Sequence, residues 1–181
     1  MDRRGALPIR ALGRIAAAAA LVCAFSPAAA QPSDVAVKAA FLSKFPSYVA
    51  WPGVGGGSLN LCVIGTDPFG RLLDDAVRGQ QVGGRPLQLR KVADVHGADD
   101  CQIAFVQGSA AAGTTALLNG LRNKPVLTVT DGRSGGPQGM IHFVIHDGRV
   151  RFHINNAQAA QHRLAISSRL LGLALSVKGR R

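Results

Sequence analysis

The chain contains no glutamate: its ten acidic residues are all aspartates, set against 21 lysines and arginines. Every carboxylate role in this protein therefore falls to an aspartate. Cysteine is scarce, with three in 181 residues. None belongs to a CxxC pair, which removes the usual sequence signature of a zinc or dithiol site. There is no GxSxG elbow, HExxH pair, Walker loop or GxGxxG after a strand, so the commonest hydrolase, metalloprotease and nucleotide-binding chemistries lack their sequence support. Basic residues are scattered, and the one run, Lys178-Gly179-Arg180-Arg181, reads as a solvated tail. An apolar run over residues 15–25 is too short for a permanent membrane anchor.

That run belongs to a three-part leader. Arg3, Arg4, Arg10 and Arg14 precede it, and Ser26-Pro27-Ala28-Ala29-Ala30 follows, with small residues at the −3 and −1 positions. Residues 1–30 are expected to be a secretory signal peptide, and residues 31–181 one domain in the periplasm. Two rival readings, a twin-arginine signal at Arg3-Arg4 and lipidation of Cys23, fit less well: Gly5-Ala6-Leu7 suits the first poorly, and Val22 is large for the second. The leader holds four arginines and one aspartate, a net +3, so the chain's +11 falls to +8 on cleavage. A basic exported chain meets anionic lipid or acidic protein faces; export argues against nucleic acid.

Cleavage leaves Cys62 and Cys101, an even pair in an oxidising compartment. A structural disulfide is the favoured reading; two free buried thiols and a redox pair are its alternatives.

Strands and helices alternate. Asp34 is placed as the cap of a first helix with apolar residues at Val37, Phe41, Phe45 and Val49, broken by Pro46. Residues 59–64 read as a strand buried on both faces. Asp67-Pro68 then opens a helix carrying Phe69, Leu72, Leu73, Ala76 and Val77. Strands follow over 87–92, 101–106 and 126–129, with a helix opened by Gly108-Ser109 between the last two. The pattern predicts an α/β fold: a mixed, mainly parallel sheet with helices on both faces, a Rossmann-like sandwich. Right-handed crossovers would put Cys62 and Cys101 near the starts of neighbouring strands.

Residues 141–154 predict an antiparallel hairpin turning at Asp147-Gly148. The turn pairs Ile145 with Val150, Phe143 with Phe152 and Ile141 with Ile154 on a core face. The other face carries His142, Val144, His146, Arg149, Arg151 and His153, with His142 opposite His153. A solvated outer face is the plain reading. A zinc or copper site on the three histidines lacks an orienting carboxylate, so no metal and no cofactor is expected. Asn155-Asn156 cap a short helix, and Ser167 a last one bearing Leu170, Leu171, Leu173, Ala174 and Val177.

No catalytic residue is assigned. Asp67 and Asp131 each follow a strand and could share a strand-end cleft with Thr66 and Ser109, under the glycine-rich loop 131–139. Capping and turn roles account for each of these residues separately. A periplasmic small-ligand or metal-binding protein is the alternative this cleft and the histidine face would support.

Several ordered segments resemble the YfiR/HmsC-like periplasmic proteins. They are Val37-Lys38-Ala39-Ala40-Phe41-Leu42-Ser43-Lys44-Phe45 with Tyr48-Val49-Ala50-Trp51-Pro52, Leu61-Cys62-Val63-Ile64-Gly65 with Asp67-Pro68-Phe69-Gly70, Gly139-Met140-Ile141-His142-Phe143, Val150-Arg151-Phe152-His153-Ile154-Asn155, and Ile166-Ser167-Ser168-Arg169-Leu170-Leu171-Gly172-Leu173-Ala174. The resemblance implies a regulator, not an enzyme. It would bind the periplasmic domain of a YfiN-like inner-membrane diguanylate cyclase and hold cyclic di-GMP synthesis and biofilm formation low. A YfiB-like OmpA-type outer-membrane lipoprotein would sequester it. Cys62 and Cys101 look like one family disulfide; a second pair found in some members is absent. A homodimer stays open. The first helix and the basic hairpin face are the expected contact surface: Phe41, Phe45, Trp51, His142, His146, Arg149, Arg151 and His153.

Overall fold

Four β-branched or leucine-rich segments too short for helices supply the centre of this molecule, and each must bury both faces. A computed structural model describes residues 32–51 and 55–179. The expected leader, Cys23, Pro52 and the terminal Arg180-Arg181 lie outside the described residues.

The chain opens with α1 (Asp34–Lys44). Its cap is Ser33, whose Oγ accepts the Ala36 N–H at 3.2 Å, and Asp34 is instead the first helical residue. Pro46 cannot supply a helical donor and breaks the helix as expected, giving a 3₁₀ turn (Phe45–Tyr48) that leads into β1 (Val49–Ala50). Then follow β2 (Leu59–Gly65), α2 (Arg71–Val77), β3 (Gln81–Val82), β4 (Arg85–Val92), β5 (Ile103–Gln107) and α3 (Ala111–Gly120). The chain continues with β6 (Leu127–Asp131), β7 (Ile141–His146), β8 (Arg149–Asn155), α4 (Asn156–Gln161), β9 (Ala165–Ile166), α5 (Ser168–Leu173) and β10 (Ser176–Lys178).

Among the described residues, eight strands form one sheet in the order β10-β8-β7-β6-β5-β2-β4-β3. The pairs β4–β2, β2–β5, β5–β6, β6–β7 and β8–β10 are parallel. The hairpins β7–β8 and β3–β4 are antiparallel. The mainly parallel α/β sheet and its C-terminal hairpin are therefore as the sequence predicts. β1 and β9 form a separate two-stranded antiparallel pair.

Residue alternation on the central strands divides the interior in two. Leu61 and Val63 of β2, with Ile103 and Phe105 of β5, join the larger core beneath α1 and α2. Cys62 and Ile64, with Ala104 and Val106, join a smaller core beneath α3. The rings of Phe41 and Phe45 from α1 and its extension meet those of Phe143 and Phe152, with centroids 5.3–6.2 Å apart.

Cys62 and Cys101 are bonded, with their Cα atoms 5.9 Å apart. The bond ties the middle of β2 to the entry of β5, its neighbour. Of the alternatives for the pair, the disulfide is the one formed.

Three local expectations are corrected. The helix expected to begin at Ser109 begins at Ala111, with Ala110 at the cap position and no side-chain capping bond. Val177 does not continue the last helix but lies in the edge strand β10, opposite Ile154 of β8. Ile145, paired with Val150 on the core side of the hairpin, is 42% exposed, because it sits at the hairpin tip, where residues 145–149 are all exposed.

Candidate functional site

The parallel strands β2, β5 and β6 end on one edge of the sheet, where α/β proteins commonly hold ligands. At that edge Lys38 reaches from α1 to Asp131 at the end of β6. Its Nζ lies 2.6 Å from Oδ2, and the two side chains are 2% and 9% exposed. Asp131 Oδ1 also accepts the N–H of Arg133, and Arg133 pairs with Asp34 at the start of α1. A cavity of about 200 Å³ lies beside them, lined in part by Val35, Phe69, Gln107 and Arg133. The strand-end cleft is thus largely occupied by the protein's own charges.

Asp67 takes no part in that pair. Its Oδ1 accepts the N–H groups of Phe69 and Gly70, forming the turn ahead of α2 rather than capping the helix itself, whose cap is Gly70. Its Oδ2 lies 2.9 Å from Lys91 Nζ, which also holds Asp74 at 3.0 Å. Burial alone would raise the Asp67 pKa. The Lys91 hydrogen bond and the two backbone N–H groups outweigh it and hold the carboxyl below its ordinary value. The paired carboxylates expected of Asp67 and Asp131 are corrected on this point: each answers to a different lysine. Thr66 and Ser109 are exposed and do not line the cavity, so the four-residue cleft is not assembled.

The hairpin has the expected register, with His142 opposite His153. Asp147 (φ 49°) and Gly148 (φ 68°) both take the left-handed region that this two-residue turn requires. The expected solvated face is nevertheless divided. His142 is 6% exposed; its Nδ1 lies 2.8 Å from Thr130 Oγ1, which also accepts the Gly139 N–H at 2.8 Å. The loop 131–139 crosses over this ring, and a Cβ built on Gly132 would meet His142 Nε2 at 3.2 Å. Burial, with the nearby His153 second, pushes the His142 pKa below its ordinary value; Asp131 acts the other way. His153 is half-buried, with Nδ1 2.6 Å from Ser176 Oγ. His146, Arg149 and Arg151 are exposed. Among the described residues no group of three or more His, Cys or Asp side chains is placed to hold a metal ion.

Of the expected contact residues, Phe45 and His142 are withdrawn from any contact surface by burial. Phe41 and Trp51 are half-buried and pack on the larger core; Trp51 Nε1 donates to Gln102 O at 3.0 Å. Lys38 is the residue sequence reasoning passed over. Its spacing was the signal: Lys38, Leu42 and Phe45 lie four and three residues apart on the buried stripe of α1, where a lysine needs a partner.

No curated protein matches this chain. The model of the YfiR/HmsC-like family (DUF4154) matches residues 35–175, from the first helix through the last, and the chain belongs to that family of periplasmic regulatory proteins.

Proposed function

We propose that this protein is a periplasmic repressor of an inner-membrane diguanylate cyclase. It binds the cyclase's periplasmic domain and holds cyclic di-GMP synthesis and biofilm formation low. The observation that carries the reading is the family match over nearly the whole described domain. The Cys62–Cys101 bond supports it, because such bonds persist in oxidising compartments. A leader over residues 1–30, removed before Gln31, delivers the protein there. A YfiB-like lipoprotein of the outer membrane is the releasing partner.

Repression is a population shift: the bound repressor favours the inactive cyclase over the active one. A roughly hundredfold preference corresponds to about 2.7 kcal/mol of coupling. The exposed hairpin tip is the contact surface in this reading. It combines the cations Arg149 and Arg151, the titratable His146 and the exposed apolar Ile145.

Two measurements test this. Deleting the gene raises cellular cyclic di-GMP, and the purified protein binds the periplasmic domain of a membrane cyclase from the same cell. An unchanged cyclic di-GMP level together with no binding defeats the proposal.

A further inference from the structure

On the sheet face opposite α1 and α2, a groove runs between α3 and α4. Its inner part is a cavity of about 200 Å³. Its outer part is a cavity of about 480 Å³, and the two share Arg122, Gln158 and His162. Together they reach the size of ordinary small-molecule sites. This groove is separate from the strand-end cleft and from the hairpin tip.

The chemistry of the groove is one-sided. The inner wall includes the half-buried Leu118, with Leu121 and Met140 buried behind it at 1% and 0% exposed. Thr128 also lines it and is 3% exposed. Its Oγ1 accepts the Met140 N–H at 3.1 Å, and among the described residues its own O–H has no acceptor. At the rim, Arg122 has no acidic partner among the described residues. Lys178 extends the cationic rim of the outer cavity. His162 Nδ1 lies 2.8 Å from the Lys124 carbonyl, which can only accept, so Nδ1 carries the proton and Nε2 is the ring atom left for another partner. Among the described residues no aspartate lines either cavity. Asp99, beyond Lys124, is committed to that lysine's ammonium at 2.7 Å.

Donors and cations around an apolar wall, with no carboxylate among them, suit one kind of ligand. The geometry points to a binding site for a small amphipathic anion: a carboxylate or phosphate monoester on an apolar ring or short chain. The apolar body lies against Leu118. The anionic head takes the Arg122 guanidinium and the unspent Thr128 hydroxyl, with the Gln158 amide beside them. Fixed donors and a single guanidinium favour an anion over a neutral molecule of the same shape. This inference does not rest on the repressor reading.

The test uses phenylacetate and phenyl phosphate as probes, with benzyl alcohol as the neutral counterpart, on the purified protein. Each anion is expected to give saturable NMR shifts at Arg122, Gln158 and His162 and to raise the thermal midpoint. Benzyl alcohol is expected to do neither. Arg122→Gln weakens the anions about tenfold while leaving the ligand-free midpoint unchanged, and Gln158→Ala, a neutral change at the same rim, weakens them less. The inference is overturned by any of three results: no saturable shifts at millimolar anion, an equal response to benzyl alcohol, or anion binding that Arg122→Gln does not change.

Discussion

The Lys38 ammonium and the Asp131 carboxylate meet at 2.6 Å, 93 residues apart in sequence, and pin α1 to the end of β6 with both side chains out of water. Two charges withdrawn together are tolerated; one left alone is costly.

Asp131→Asn is therefore expected to lower stability by about 3–5 kcal/mol, leaving Lys38 buried without a counter-charge. Lys38→Met in the same background should recover a large part of that loss, because it removes the stranded ammonium. Urea denaturation of the single and double variants measures both.

The Cys62–Cys101 bond closes a loop with a sequence separation of 39. On chain-entropy grounds it contributes about 4 kcal/mol. Reduction, or the Cys62→Ala/Cys101→Ala double variant, should lower the denaturation midpoint accordingly. An unchanged midpoint would show that the bond does not constrain the unfolded chain.

Acid sensitivity is expected in two windows. The Asp67 pKa lies below its ordinary value in the folded state, despite burial, because of Lys91 and two backbone donors. Its contribution is present above the unfolded carboxylate value of about 3.9 and is lost as pH falls through the lower folded value. Asp67→Asn should flatten the stability curve in that acid range, as read by urea midpoints against pH.

The His142 pKa is lowered mainly by burial. The unfolded chain therefore binds the proton first, and stability is complete above about pH 6.5 and declines as pH falls below it. NMR titration should find the His142 ring protonating below the ordinary imidazole value of about 6.5. His142→Gln should remove this part of the pH dependence.

If the hairpin tip contacts a cyclase, Arg149→Glu/Arg151→Glu should weaken that binding tenfold or more at low salt. Stability should change by no more than about 0.5 kcal/mol per site, since both side chains are exposed. Binding and denaturation measured on the same variant separate the two effects.

Much of the local structure was legible in the residues. Asp147-Gly148 specified a two-residue turn, and the turn set the register from Ile141 opposite Ile154 to His146 opposite Arg149. Asn155 and Ser167 cap α4 and α5 as their side chains allow, accepting the N–H groups of Gln158 and Leu170. The exposure of the histidines was not legible. Alternation puts His142 on the opposite face from Phe143, but it cannot say what covers that face. The crossing loop 131–139 does, and its path depends on how Gly139 closes back on Thr128 and Thr130 and on the contact of Gly136 with the distant Thr114.

The sequence by itself determined the alternation of strands and helices, the hairpin register and the caps of the last two helices. These depend on side-chain period, on backbone dihedrals that few residues tolerate, and on hydrogen bonds spanning three or four residues. Only the tertiary structure decided that Asp131 answers to Lys38 while Asp67 answers to Lys91, and that an acid-free groove opens between α3 and α4. Those outcomes follow from the order of strands in the sheet. That order is set by the burial of two faces at once, which no local stretch of chain encodes.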